Sequence, residues 1–184
     1  MTLPPRHRRR LLMSCGVAAV LVAGSLTSAK VAGLRINQTP SMPRGLWQVA
    51  RVAGPLDRGQ IVTVCPPDIK AVRLGAERGY VPQGDCPGGY EALVKPIAAV
   101  AGDLVEVAAA GVRVNGHQVD GTAQLDRDSA GRPLRAYPAG AYQVQPGEVW
   151  LLSGHDPRSF DSRYFGPVAV DNVQGVAWPV WVVR

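Results

Sequence analysis

A mainly β domain on one N-terminal transmembrane (or signal) helix is the fold class that this 184-residue sequence predicts. Three observations carry it. One uncharged run of bilayer length lies near the N-terminus; short β-branched runs bounded by Gly, Asn and Pro follow it; and long amphipathic helical windows are missing. With 46% hydrophobic residues, the chain suits one main domain with room for a core.

Residues 1–10 read as a basic tail carrying Arg6, Arg8, Arg9 and Arg10. The net charge of +6 invites a nucleic-acid reading, but its location argues against one. Residues 1–30 hold five of the 20 basic residues and none of the 14 acidic ones, which leaves fifteen against fourteen beyond Lys30. A domain so balanced presents no basic face, so no nucleic-acid partner is expected.

Leu11–Ala29 is 19 residues without a charge. As a helix it spans roughly 28 Å at about 1.5 Å per residue, the thickness of a bilayer core. The arginines before it should stay in the cytoplasm, which places residues 30–184 on the far side of the membrane. Thr27-Ser28-Ala29 also fits a signal-peptide cleavage site, the second-placed reading, which would leave a soluble exported domain. The spacing argues against a lipoprotein signal at Cys15, because only four residues separate it from Arg10.

Beyond the tether, Leu46–Val52 alternates and Gly59–Val64 is a β-branched run after a glycine turn. Leu104–Val107 and Val112–Val114 read as short strands, and Asn115-Gly116 is a strong hairpin signal. Val149–Leu152, Val168–Val170 and Trp178–Val183 complete the set, with Ile69–Arg78 the one modest helix candidate. The polar, Gly/Pro-containing segment from Asp120 to Pro138 reads as a surface excursion. In an oxidising compartment Cys65 and Cys86, each bordering a proline-rich loop, should pair. The bond would close a loop of about 20 residues and contribute on the order of 3 kcal/mol.

Chemistry concentrates in three stretches. In Asn37–Trp47, Ser41 lies between Pro40 and Pro43, which stiffen the chain and pre-position a hydroxyl. An ordinary surface loop has the same composition. Lysine is rare, three against 17 arginines, yet Lys95 sits inside the apolar Ala92–Val100 run. Burial there would favour the neutral amine, a base toward a serine hydroxyl, unless the ammonium snorkels outward at a strand edge. The third stretch, Gly154–Gly166, holds His155, Ser159, Asp161 and Arg163. Ser41, His155 and Asp161 could form a Ser-His-Asp triad, or Asp161 and Arg163 could merely hold a loop. A metal site on His155 and Asp161 lacks a third ligand of sensible spacing, so no metal and no cofactor is expected. His117 reads as an exposed loop residue.

Together these stretches resemble the signal peptidase I family of Ser/Lys membrane proteases. The resemblance lies in Ser41-Met42-Pro43, in Lys95 with Gly102-Asp103, and in Ser159–Gly166, and it spans roughly residues 35–180. Thr39–Leu46 and Pro157–Pro167 are similar to the conjugative-transfer branch, the TraF-type peptidases of plasmid transfer systems. The family's Gly-Asp-Asn-Arg segment departs here, as Gly154-His155-Asp156-Pro157-Arg158.

The resemblance implies a signal-peptidase-like β domain in the bacterial periplasm, anchored in the inner membrane or released by signal cleavage, in which Ser41 is the nucleophile and Lys95 its base. The Ser41 amide and Thr39 would assist at the oxyanion, Ser159 would orient the lysine, and Asp161 would pair with Arg163 or hold the catalytic arrangement. The implied substrate is a pilin-like or preprotein chain with a membrane-bound leader and small residues before the scissile bond. For some members the product is cyclised. Other conjugative-transfer envelope proteins are implied as further partners. A general leader peptidase and a non-catalytic envelope scaffold for pilus assembly are the alternatives. Met42, Leu46 and Trp47 either dip into the membrane interface or pack in the core.

Overall fold

The computed structural model describes residues 33–183. The chain divides into two compact units, Met1–Arg35 and Ile36–Arg184; of the first only residues 33–35 are described. The anchor or signal helix expected at 11–29 lies outside the described residues. Within them no helix is long and apolar enough to cross a membrane.

The elements in order are β1 (Leu34–Asn37), β2 (Arg44–Ala50), β3 (Ile61–Val64), α1 (Lys70–Glu77), β4 (Gln83–Cys86) and β5 (Leu93–Val100). They continue with β6 (Leu104–Ala108), β7 (Gly111–Val114), β8 (His117–Val119), β9 (Gly140–Gln143) and β10 (Glu148–Leu151). α2 (Ser162–Phe165), β11 (Val168–Ala169) and β12 (Val173–Val183) close the chain. The domain is therefore mainly β, as its patterning predicts.

Two sheets form. A seven-stranded sheet runs β1-β2-β12-β3-β5-β10-β11, and a four-stranded sheet runs β8-β7-β6-β9. The small sheet is built from local signals: Asn115 (φ 51°) and Gly116 (φ 79°) both take positive φ between Val114 and its partner His117, the geometry a two-residue hairpin needs. In the large sheet every pairing given by its register is antiparallel, and β12 lies between β2 and β3.

One core cluster joins Val62, Val64, Ile97 and Leu151 of the large sheet to Val72 of α1 and to Phe165. A second joins Ala99, Trp150 and Leu152 to Val105, Val107, Val112 and Val114 of the small sheet. A third holds Met42, Trp47 and Ala177. Met42 and Trp47, 7% and 1% exposed, thus belong to the core and not to a membrane interface. Trp47 points its indole N–H inward to the Pro43 carbonyl, 3.1 Å away. The exposed aromatics are Trp178 and Trp181 of β12.

The expected disulfide is present between Cys65 and Cys86, with Cα atoms 5.5 Å apart, and ties the end of β3 to β4. The helix expected at Ile69–Arg78 forms one residue shorter at each end, over Lys70–Glu77. The strand expected at Val168–Val170 stops at Ala169, where a 3₁₀ turn, Val170–Asn172, redirects the chain into β12. The Asp120–Pro138 excursion has no strand of its own and only an isolated bridge between Arg127 and Pro133. It does more than cover surface, however: it supplies one wall of the cleft described next.

Candidate active site

Asn37 at the end of β1 organises the serine loop. Its amide nitrogen donates to the carbonyls of Thr39 (3.1 Å), Met42 (2.9 Å) and Pro43 (3.1 Å). Those three acceptors fix which end of the amide is which, so Oδ1 faces Thr39 and accepts from both its N–H (3.2 Å) and its hydroxyl (2.8 Å). Thr39 has one hydroxyl proton, and Asn37 takes it. Thr39 Oγ1 can then only accept, so the 3.1 Å contact with Ser41 is a hydrogen bond donated by Ser41. The serine proton is parked on Thr39.

Lys95 lies on the buried face of β5. The strand's two-residue period alternates burial so that Leu93, Lys95, Ile97 and Ala99 all point inward. Lys95 is 2% exposed, and its amine donates to Ser159 Oγ at 2.8 Å. Burial lowers its pKa from 10.5 to about 8; the Asp161 charge pulls upward and the nearby Arg163 pulls down again. No carboxylate pairs with Lys95 among the described residues. An amine without a counter-ion among the described residues, which gives up its proton at about pH 8, is chemically a base once neutral.

The third stretch is ordered by a fully buried ion pair. Arg163 donates through Nε to Asp161 Oδ1 (2.8 Å) and through Nη2 to Oδ2 (2.9 Å). Its remaining N–H groups reach the carbonyls of Gly121, Ala123, Ser153, Pro157 and Ser159. Every donor is used, the condition under which a buried guanidinium is tolerated. Asp161 also caps α2 by accepting from Arg163 N, and it accepts from Ser153 N at 3.1 Å. The pair therefore fixes Ser159, and through it the lysine, without touching Ser41.

Ser41, Thr39, Lys95 and Ser159 line one cavity of about 250 Å³. His155 lies elsewhere, lining a second depression beside Met42 and Arg44; its backbone N–H donates to Ser153 Oγ. Among the described residues no hydrogen bond joins its ring to Ser41 or Asp161, whose oxygens serve Arg163 and Ser153. The triad geometry is not formed. His117 is exposed on β8, and no group of residues with metal-ligand geometry occurs among the described residues.

Two residues escape a reading of the sequence. Asn37 carries a local signal, an Asn-x-Thr turn whose amide bonds its own backbone neighbours. Ser153 carries none. Buried at 1% exposure, it donates its hydroxyl to the Ser41 carbonyl, 112 residues away in the chain, while its own N–H holds Asp161. It couples the ion pair to the nucleophile's backbone.

The family model described as signal peptidase, peptidase S26, matches residues 8–182. A probable conjugal transfer protein TraF from Sinorhizobium fredii is 39% identical over 180 residues, 97% of this chain and 94% of that one. A plasmid transfer protein TraF from Escherichia coli is 40% identical over 165 residues, 90% of each chain. A conjugal transfer protein TraF from Agrobacterium fabrum is 36% identical over 174 residues, 95% of this chain and 97% of that one. A solved signal peptidase I from Enterococcus faecalis superposes at a TM-score of 0.37 with 21% identity, covering 67% of this chain and 97% of that one.

Proposed function

The chain belongs to the S26 signal peptidase family, in its conjugal-transfer branch, and we propose that it is a Ser41/Lys95 endopeptidase that processes a transfer-pilus subunit precursor. The observation that carries this reading is the buried Lys95 amine, without a carboxylate partner among the described residues, opening onto the same cavity as Ser41.

In the proposed reaction Ser41 Oγ attacks the scissile carbonyl while its proton passes to the neutral Lys95 amine. The carbonyl oxygen becomes an oxyanion, for which the Ser41 amide is the donor at hand; the Thr39 hydroxyl joins it only by turning its proton away from Asn37 Oδ1. The C–N bond then breaks, the leaving amine takes the proton from Lys95, and an ester to Ser41 remains. Water resolves that ester to a carboxylate; an amine of the same pilin would resolve it to a ring.

Before attack the Ser41 proton must swing from Thr39 toward Lys95, a rotation about one side-chain bond. Ser159 serves this step by accepting from the amine, which leaves the nitrogen lone pair free. Asp161 and Arg163 act as positioning residues, because neither touches the nucleophile. Anchoring through residues 11–29 would confine enzyme and membrane-bound substrate to two dimensions and raise the effective concentration of the scissile bond.

Membranes carrying the protein, or its Ser41→Ala variant, are incubated with a transfer-pilin precursor, and the product is weighed intact. Loss of a terminal peptide only with Ser41 supports the peptidase; a further loss of one water marks a ring. Unchanged precursor in both overturns the pilin reading.

A further inference from the structure

We propose that Asp156 is a binding site for the amine that resolves the Ser41 ester: its carboxylate holds a primary ammonium of a polypeptide beside the cleft. The inference rests on the peptidase reading above and adds to it the class and the seat of a second substrate. Two carboxylates line the cleft, Asp128 and Asp156. Asp128 is spent, accepting from Tyr80 Oη, from the Ala130 and Arg132 amides and from Arg132 Nε. Asp156 is half-buried, and its Oδ1 accepts from the Arg158 N–H at 2.7 Å. Its Oδ2 takes no hydrogen bond among the described residues. Arg158 lines the cleft, and Arg44 and His155 line the second depression. None of the three forms an ion pair with Asp156 among the described residues.

The turn that Asp156 makes does not need its charge. An asparagine would accept from the Arg158 amide in the same way. The charge has a cost as well. Burial lowers the pKa of Lys95, and Asp156, together with Asp161, pulls it back up. A carboxylate within reach of the base keeps that base protonated, which works against attack by Ser41. Asp161 has Arg163 to answer for its charge. Asp156 lacks such a partner until a cation arrives, and an ammonium on a carboxylate makes the strong, charge-assisted kind of hydrogen bond.

Its place suits a second chain end. Pro40 and Asp156 line both the cleft and the depression beside Met42, so the two hollows adjoin there, next to the serine loop. A chain esterified to Ser41 in the first leaves the second open to another end. Holding the amine there raises its effective concentration against water. The protons balance. Lys95, neutral once the leaving amine has its proton, takes one from the bound ammonium. The nitrogen attacks the ester carbon, the N–C bond forms and the C–Oγ bond breaks. Ser41 Oγ takes the second proton from that nitrogen, and Lys95 returns its own to solvent.

The full-length protein in detergent is given an amine-acetylated transfer-pilin precursor at about pH 7, where α-amino and lysine groups are charged. Trialanine amide, Nα-acetyl-lysine amide and hydroxylamine, which is uncharged at that pH, are added in turn. Intact mass gives the ratio of amine-trapped to hydrolysed product. Both come from one ester, so the ratio is blind to how fast that ester forms. Asp156→Asn should lower trapping by the better charged acceptor at least about fivefold, the size of one half-exposed ion pair. Hydroxylamine trapping should not move, and Asp156→Glu should keep most of the wild-type ratio. The better charged acceptor tells a chain end from a lysine side chain. An equal fall for hydroxylamine, or no fall for the charged acceptors, overturns the amine site and leaves the peptidase standing. Hydrolysed product alone from the wild type does the same. No Ser41-dependent product overturns both.

Discussion

The two halves of the cleft are held by different forces. On the nucleophile side one neutral amide, Asn37, bonds to groups no more than six residues away. On the base side a buried ion pair holds the chain, and Arg163 reaches back to Gly121 and Ala123 across about 40 residues of sequence. The serine loop is thus a local structure indifferent to pH, whereas the lysine's setting depends on charge and on a finished fold.

That contrast can be broken at its strongest point first. Arg163→Met leaves Asp161 buried without its partner and should destabilise the domain by about 3–5 kcal/mol, read from denaturant unfolding. Lys95→Met should do the reverse. Lys95 is less basic folded than unfolded, so the unfolded chain binds more protons between about pH 8 and 10.5, and folding stability rises with pH across that window. Below it the buried amine is a liability, and the methionine variant should be inactive yet more stable than wild type by on the order of 2 kcal/mol at pH 7. The same neutralisation should make wild-type kcat climb through about pH 8.

On the other side, Asn37→Ala should cost about 1–2 kcal/mol of stability and more than tenfold in kcat, with the pH midpoint of activity unchanged. A shifted midpoint would show that the two halves are electrostatically linked after all. Ser153→Ala tests the seam between them: about 1 kcal/mol of stability and a fall in kcat with little change in KM, rescued in part by Ser153→Thr.

The same contrast governs what could be read from the chain. Ser41, Lys95, Ser159, Asp161 and Arg163 stand out by residue type and by family resemblance, and the Asn115-Gly116 hairpin and the Cys65–Cys86 bond follow from local chemistry and compartment. β4 and β9 are short and rich in glycine, glutamine or aspartate, so no hydrophobic alternation marks them. The excursion through Asp120–Pro138 is polar on average, and the residues it sends to the cleft, Leu125, Asp128, Ser129 and Leu134, are scattered along it with no periodicity. Ser153 has its meaning solely through a partner on another strand's loop. What escapes the sequence is contact between distant segments.

The position of β12 has a consequence in time. It is the last strand, yet it alone lies between β2, which follows the serine loop, and β3, which pairs with the strand of Lys95. Chains emerge from the ribosome N-terminus first. The sheet that brings serine and lysine to one cleft is therefore incomplete until residues 173–183 have been made. A nascent chain that stops short of β12 carries both side chains without the strand that joins their segments.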